Sequence, residues 1–284
     1  MNPVPPKKVL AVHDLSCVGR CSLTVILPIL SCMGIQACPL PTAILSTHLG
    51  GFSAVAFSDF SSHIADFSAH WRREGVHFDS IYSGFLASAE QIEIVSQLID
   101  DFSGSRPLVL VDPVMGDEGR LYSVYTVQMQ ERIKKLVRQA DIITPNYTEA
   151  CFLLGQPYAS PVSRPELLEP WLVKLSELGP RQVVITGVPL PDQQVANLSY
   201  DRITGHFHHC TSNLIPVRYP GTGDIFASVL LGALLRGAAL PDAVESAGSF
   251  VFSAVARTYA AGAPAREGVL LEPSLKSLLE ANHE

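Results

Sequence analysis

The sequence predicts an α/β domain built on a mostly parallel sheet. Three observations carry that prediction. Short apolar, β-branched runs alternate with longer segments of helical spacing, as in successive βαβ units. The residues just after those runs are mostly hydroxyls, acids and glycines, with lysine and arginine nearly absent, and in such sheets ligands gather at the carboxyl ends of the strands. No composition shift, repeat or low-complexity tract divides the 284 residues. One domain over 1–284 is the economical reading, with residues 1–7 expected to be flexible.

The run 9–12 is a buried strand stopping at His13-Asp14, and helical spacing follows over 19–33, with Gly34 as a stop. A second strand, 35–40, leads to Pro41 and Thr42 and then to a polar, glycine-bearing stretch through Gly51. A helix over 60–73, a strand over 80–83 and a helix over 88–102 come next. The strand 108–111 stops at Asp112-Pro113, the helix 125–139 precedes the strand 142–143, and Pro145 turns the chain into a helix over 146–154. A helix over 166–178 leads to the strand 183–186. Weak alternation over 198–202 and 203–209 predicts a hairpin. The chain closes with a glycine turn at 221–223, the helix behind it to Leu235, a helix over 241–259 and a short one near the end.

Composition narrows the function. Lys and Arg number 20 against 27 Asp and Glu, a net charge of −7, and no basic stripe is visible. That argues against nucleic acid and anionic membranes as partners. Six cysteines form no C-x-x-C pair, which fits a reducing cytosol. No apolar run reaches membrane-spanning length, and Met1 to Lys8 lacks a signal-peptide core.

Pro220-Gly221-Thr222-Gly223-Asp224 is the stretch the rest is arranged around. A glycine turn feeding a helix N-terminus gathers unpaired N–H groups and attracts an anion. A carboxylate there repels phosphate but suits a base taking the proton of an attacking hydroxyl. Asp224 also reads simply as a first-turn stabiliser of its helix. Neither G-x-x-x-x-G-K-[ST] nor G-x-G-x-x-G occurs, so a bound ATP needs this other cradle. Asp112 to Asp117 sets two carboxylates in one loop, suited to Mg²⁺ through water or to a solvated proline-glycine turn. Asn146 and Glu149 suit the phosphates and metal, and equally a capping box. Asp14 and Ser16 could bind a small polar substrate or cap the next helix. His206, His208, His209 and Cys210 resemble a metal cluster, but alternation on a strand sends neighbours to opposite faces.

In this order, these motifs resemble the ribokinase-like superfamily in its vitamin-kinase branch, and the pyridoxal kinases above all, from Val9 to about Tyr259. Ser83-Gly84-Phe85-Leu86 and Thr42 to Ser46 with His48 and Gly50 support that branch. The resemblance implies a three-layer, Rossmann-like sandwich and transfer of the ATP γ-phosphate to a hydroxymethyl on a pyridine ring. Asp224 would be the base and the backbone of Gly221, Thr222 and Gly223 the anion hole. Asn146, Glu149, Thr186 and Gly187 would serve ATP. Asp112, Asp117 and Glu149 would organise Mg²⁺, partly through water. Asp14, Ser16, Thr42, His48 and Gly84 would face the pyridine. A cytosolic homodimer, and dependence on a monovalent cation, are further implications. The first-strand segment His13-Asp14-Leu15-Ser16 departs towards the Ser-Asp-x-Ser form of hydroxymethylpyrimidine kinases, so that acceptor stays open. A sugar or nucleoside kinase is more remote, and a vitamer-binding protein without turnover is the alternative of another class.

Overall fold

The first strand, β1 (Lys8–Ser16), shows how the sheet is built. Val9 and Ala11 pack into one core, Leu10 and Val12 into another, and all four are inaccessible to solvent. A strand covered on both faces has no polar alternation, which is why it reads as a continuous apolar run. The computed structural model describes residues 5–280. The expectation of a flexible 1–7 therefore falls partly outside the described residues. Lys7 is tied down, its Nζ 2.9 Å from Asp79 and its carbonyl accepting from Gln36 N.

From β1 the chain passes through α1 (Leu23–Cys32), β2 (Gln36–Leu45), β3 (Phe57–Asp59) and α2 (Ser61–Arg73). Next come β4 (Ser80–Ser83), α3 (Ala89–Phe102), β5 (Leu108–Val111), the small ribbon β6 (Gly116–Asp117) and β7 (Arg120–Leu121), and α4 (Val127–Gln139). Then β8 (Ile142–Ile143), α5 (Tyr147–Leu154), α6 (Glu169–Glu177) and β9 (Gln182–Leu190) lead to β10 (Gln194–Asp201) and β11 (His206–Asn213). The helices α7 (Thr222–Leu235), α8 (Leu240–Ala260) and α9 (Leu275–Glu280) close the chain. Helix starts follow their caps: the side chains of Ser88 and Thr126 accept from Gln91 N and Met129 N at the heads of α3 and α4.

Among the described residues one sheet of nine strands runs β11-β10-β9-β8-β5-β4-β1-β2-β3. The six strands from β9 to β2 are parallel, while β10 pairs antiparallel with β9, β11 antiparallel with β10, and β3 antiparallel with β2. The fold class expected from the sequence is the one observed. One core holds residues of α2 to α6, the other residues of α1, α7, α8 and α9. Sequence order reverses direction between β2-β1 and β4, so the β1–β4 junction is the switch point outside which a ligand crevice opens.

Several boundaries differ from the sequence reading. β1 runs on through Asp14 to Ser16, where Ser22 Oγ donates to the Asp14 carboxylate, and β2 runs on through Thr42 to Leu45, where Gln91 Nε2 donates to the Thr42 carbonyl. The first helix begins at Leu23 rather than Gly19, since residues 19–22 form a turn with Gly19 and Ser22 at positive φ. Relative to the alternation, the first hairpin strand begins and ends earlier, at Gln194 and Asp201, and the second begins and ends later, at His206 and Asn213. No helix among the described residues is long and apolar enough to cross a membrane.

Candidate active site

A cleft of about 1090 Å³ opens beyond the carboxyl ends of the parallel strands. Its walls include the turn 220–224, Asp112, the Asn146–Glu149 corner, Thr186 and Gly187, and Gly50 and Gly51 from the loop after β2. The turn is shaped by close approach. Gly221 has φ +82°, and a Cβ there would strike the Arg20 carbonyl and lie 2.9 Å from Cys21 Cα. Only glycine meets both demands without strain. The turn thus leaves the N-terminus of α7 facing the cleft, anchored behind by the fully buried Ile225, Val229 and Leu230.

Asp224 lies in the first turn of α7 with its side chain 12% exposed. Its Oδ2 accepts from Ser22 N at 2.7 Å, and its Oδ1 is 3.0 Å from His13 Nε2. The other ring nitrogen, Nδ1, is 3.0 Å from Asp14 Oδ1. Asp14 also accepts from Ser16 Oγ at 2.9 Å and Ser22 Oγ at 2.6 Å. Burial by itself disfavours the charged imidazole, but Asp224 and Asp14, by charge and hydrogen bond, push the His13 pKa up to about 10. Burial likewise opposes ionisation of Asp14, and the bonds from His13, Ser22 and Ser16 outweigh it, holding its pKa below the usual value.

Two further acids line the cleft, Asp112 with its Oδ2 3.9 Å from where a Cβ on Gly223 would lie. Asp112, just past β5, is 6% exposed; burial first, and then the charge of Asp224, raise its pKa to about 7. Glu149 is 2% exposed and is raised well above the ordinary range by burial and by Asp112. It belongs to a complete capping box: Asn146 Oδ1 accepts from Glu149 N at 2.9 Å, and Glu149 Oε2 accepts from Asn146 N at 2.8 Å. Met115 N donates to Oε1 at 3.0 Å. Capping is therefore real here, while both residues still line the cleft.

The residues named for metal do not all meet. Asp117 lines the same cleft but is paired with a cation, Arg218 Nη1 lying 2.8 Å from its Oδ2 and Arg218 Nη2 2.7 Å from Glu118. Among the described residues no group of three His, Cys, Asp or Glu side chains could hold a metal directly. Two neighbouring buried carboxylates on the cleft wall nevertheless fit Mg²⁺, which binds through one or two carboxylates and keeps several waters. Arg218 and Arg266 are the only Lys or Arg side chains on the described cleft wall, so little cationic charge is built in.

The residues expected to face the acceptor lie behind that wall. Asp14, Ser16, Thr42 and Gly84 are buried, and their polar groups or space are taken by other parts of the fold. Asp14 and Ser16 serve the network just described, and the Thr42 carbonyl accepts from Gln91 Nε2 at 3.1 Å. Gly84 carries the His13 ring, leaving no room for a Cβ. His48 is held at both nitrogens, by Gly50 N at 3.0 Å and the Arg266 carbonyl at 2.6 Å, and its ring fills the space over Gly19. Sequence reasoning gave no site role to His13 or Ser22; a histidine directly before the first-strand acid was the available signal. His208 and His209 do point oppositely, towards Glu245 of α8 and Glu169 of α6.

This geometry defines a phosphoryl-transfer enzyme of the ribokinase-like type, and comparison with known proteins agrees. The family model for phosphomethylpyrimidine kinase matches residues 30–268. The chain belongs to that family, on the branch it shares with pyridoxal kinases, and is a kinase. A Bacteroides thetaiotaomicron protein assigned to phosphomethylpyrimidine kinase and crystallised with pyridoxal is 43% identical, with a TM-score of 0.91 over 96% of each chain. The pyridoxal kinase of Lactobacillus plantarum is 33% identical, with a TM-score of 0.88 over 98% of each chain. The pyridoxine/pyridoxal/pyridoxamine kinase of Bordetella avium is 29% identical over 259 residues, 88% of this chain and 85% of its own. The hydroxymethylpyrimidine/phosphomethylpyrimidine kinase of Bacillus subtilis is 30% identical over 191 residues, 66% of this chain and 68% of its own.

Proposed function

We propose that the protein transfers the γ-phosphate of ATP to the 5′-hydroxymethyl of pyridoxal, pyridoxine or pyridoxamine, with Asp224 as the base. The observation that carries this reading is the placement of the Asp224 carboxylate at the N-terminus of α7, on the cleft wall beside the Gly221 turn. The Bacteroides relative with pyridoxal bound supports the choice of acceptor. Asp224 takes the hydroxyl proton as the oxygen attacks the γ-phosphorus, and ADP leaves. The N–H groups of Gly221, Thr222 and Gly223 stabilise the negative charge on the transferring oxygens. Asn146, Thr186 and Gly187, which line the cleft, would contact the nucleotide. Asp112 and Glu149 would hold Mg²⁺ through water. The metal supplies charge neutralisation of the phosphates that the wall lacks.

A second reading, phosphorylation of hydroxymethylpyrimidine, is favoured by the family model and by the Bacillus relative. Both acceptors present a hydroxymethyl on a six-membered nitrogen ring, and the base chemistry is the same. The test is ADP formation with Mg²⁺ and each of pyridoxal, pyridoxine, pyridoxamine and hydroxymethylpyrimidine. The proposal expects a pyridine to give the highest kcat/KM. Preference for the pyrimidine would move the chain to the second reading, and binding of all four without ADP formation would overturn both.

A further inference from the structure

We infer that His13 is a positioning residue for the reaction, fixing the Asp224 carboxylate from behind through a continuous Asp14–His13–Asp224 chain. The inference rests on the reading of Asp224 as the base. Three independent features of the structure carry it.

The imidazole spans two carboxylates from different elements, with Nδ1 at 3.0 Å from Asp14 on β1 and Nε2 at 3.0 Å from Asp224 on α7. A residue serving only to fill the core has no need of charged partners on both sides. The ring is also held from two further directions. Gly84 lies against it with no space for a side chain, and Tyr82 meets it edge-on at 6.2 Å between centroids. It is 1% exposed and absent from the cleft wall, so it acts through Asp224 and not on the acceptor. Finally, Asp14 is itself fixed by Ser16 and Ser22, and the same Ser22 donates its backbone N–H to Asp224. Both oxygens of the base are thus aimed by one network. A carboxylate free to rotate would lose the near-attack geometry on which proton removal depends.

The charged groups around the ring are Asp14 from its own strand, Asp224 from α7 and Asp112 from beyond β5. Tyr82 of β4 and Cys21 stay neutral there, burial pushing the phenol well up and the thiol to about 12. An imidazolium is the only cation in that set, so its removal shows in the acidic limb of the rate profile.

The test compares His13→Leu, which removes both ring nitrogens, with His13→Gln, which keeps an amide donor within reach of Asp224. For the folded Leu variant the expected result is a kcat lowered roughly 10- to 100-fold, with KM for ATP and acceptor unchanged, and partial recovery in the Gln variant. The acidic limb of kcat against pH should move to higher pH in the Gln variant, because the cation beside the base is gone. That readout stands even where the Leu variant does not fold. A folded Leu variant with wild-type kcat, or an unmoved limb in the Gln variant, overturns the inference. Asp224→Asn separates the two levels. If it is inactive while both His13 variants turn over normally, only the role of His13 fails; if it is active, the base assignment fails first.

Discussion

Replacing Asp224 by asparagine keeps the shape of the side chain and removes its ability to take a proton. The structure sets what else is lost. Asp224 accepts from Ser22 N at 2.7 Å on one oxygen and faces His13 Nε2 at 3.0 Å on the other. An amide satisfies one of these with its oxygen and turns its NH₂ against the other donor. A buried donor left without an acceptor costs about 1–3 kcal/mol of stability. At about 2–4 °C of melting temperature per kcal/mol for large domains, a drop of several degrees is expected. The chemical loss is larger: a positioned general base contributes about 10²- to 10⁴-fold, or ~2.7–5.4 kcal/mol at the transition state. A coupled ADP-release assay at saturating ATP and acceptor, below the variant's melting range, should show kcat falling by that factor. KM for ATP should stay near wild type, since Asp224 serves the acceptor proton. Turnover within tenfold of wild type in a folded Asp224→Asn protein would refute the reasoning.

Other perturbations probe the same site from different sides. Gly221→Ala combines a φ of +82° with a collision against the Arg20 carbonyl, so it should destabilise by at least about 1–2 kcal/mol and lower kcat as the α7 N-terminus shifts, read by thermal melts and turnover. Glu149→Gln keeps part of the capping box but removes a carboxyl that can ionise against the metal, and should raise the Mg²⁺ concentration needed for half-maximal rate more than it lowers the melting temperature. A change in melting temperature alone would leave Glu149 as a cap. Folding raises the His13 pKa from 6.5 to about 10, so its contribution to stability is complete below pH 6.5 and is lost as pH rises through about 10. Denaturant titrations from pH 6 to 10.5 should show a decline in wild type that is smaller in His13→Gln.

Much of the fold was legible because its strands are covered on both sides. Leu108 to Val111 and Ile142-Ile143 have no solvent face, and their apolar runs stand out between helices. The edge strand β3 and the ribbon β6–β7 left no such trace, since Phe57-Ser58-Asp59 and Gly116-Asp117 carry no apolar pattern and gain their pairing from the fold. In the site, the turn at Gly221 and the acids Asp112, Glu149 and Asp224 were visible as types at strand and helix ends. Asp14 and Ser16 were visible too, but which way they face was not. That depends on Ser22 and His13, whose partners lie up to 202 and 211 residues away in the chain.

The two cores described for the sheet have a consequence for the chemistry. Asp224 and its supports hang from α7, β1 and the turn before α1, whose helices belong to one core. Glu149 belongs to α5, whose Tyr147, Ala150 and Cys151 pack into the other core. On the proposed reading the base and the Asn146–Glu149 corner are thus mounted on opposite flanks of a common sheet, with the α7 N-terminus serving proton and phosphate alike. Any flexing of the sheet about its strand direction changes the spacing of those flanks. On the proposed reading, the alignment of acceptor and phosphate would therefore depend on the stiffness of the whole slab, and not on the cleft residues alone.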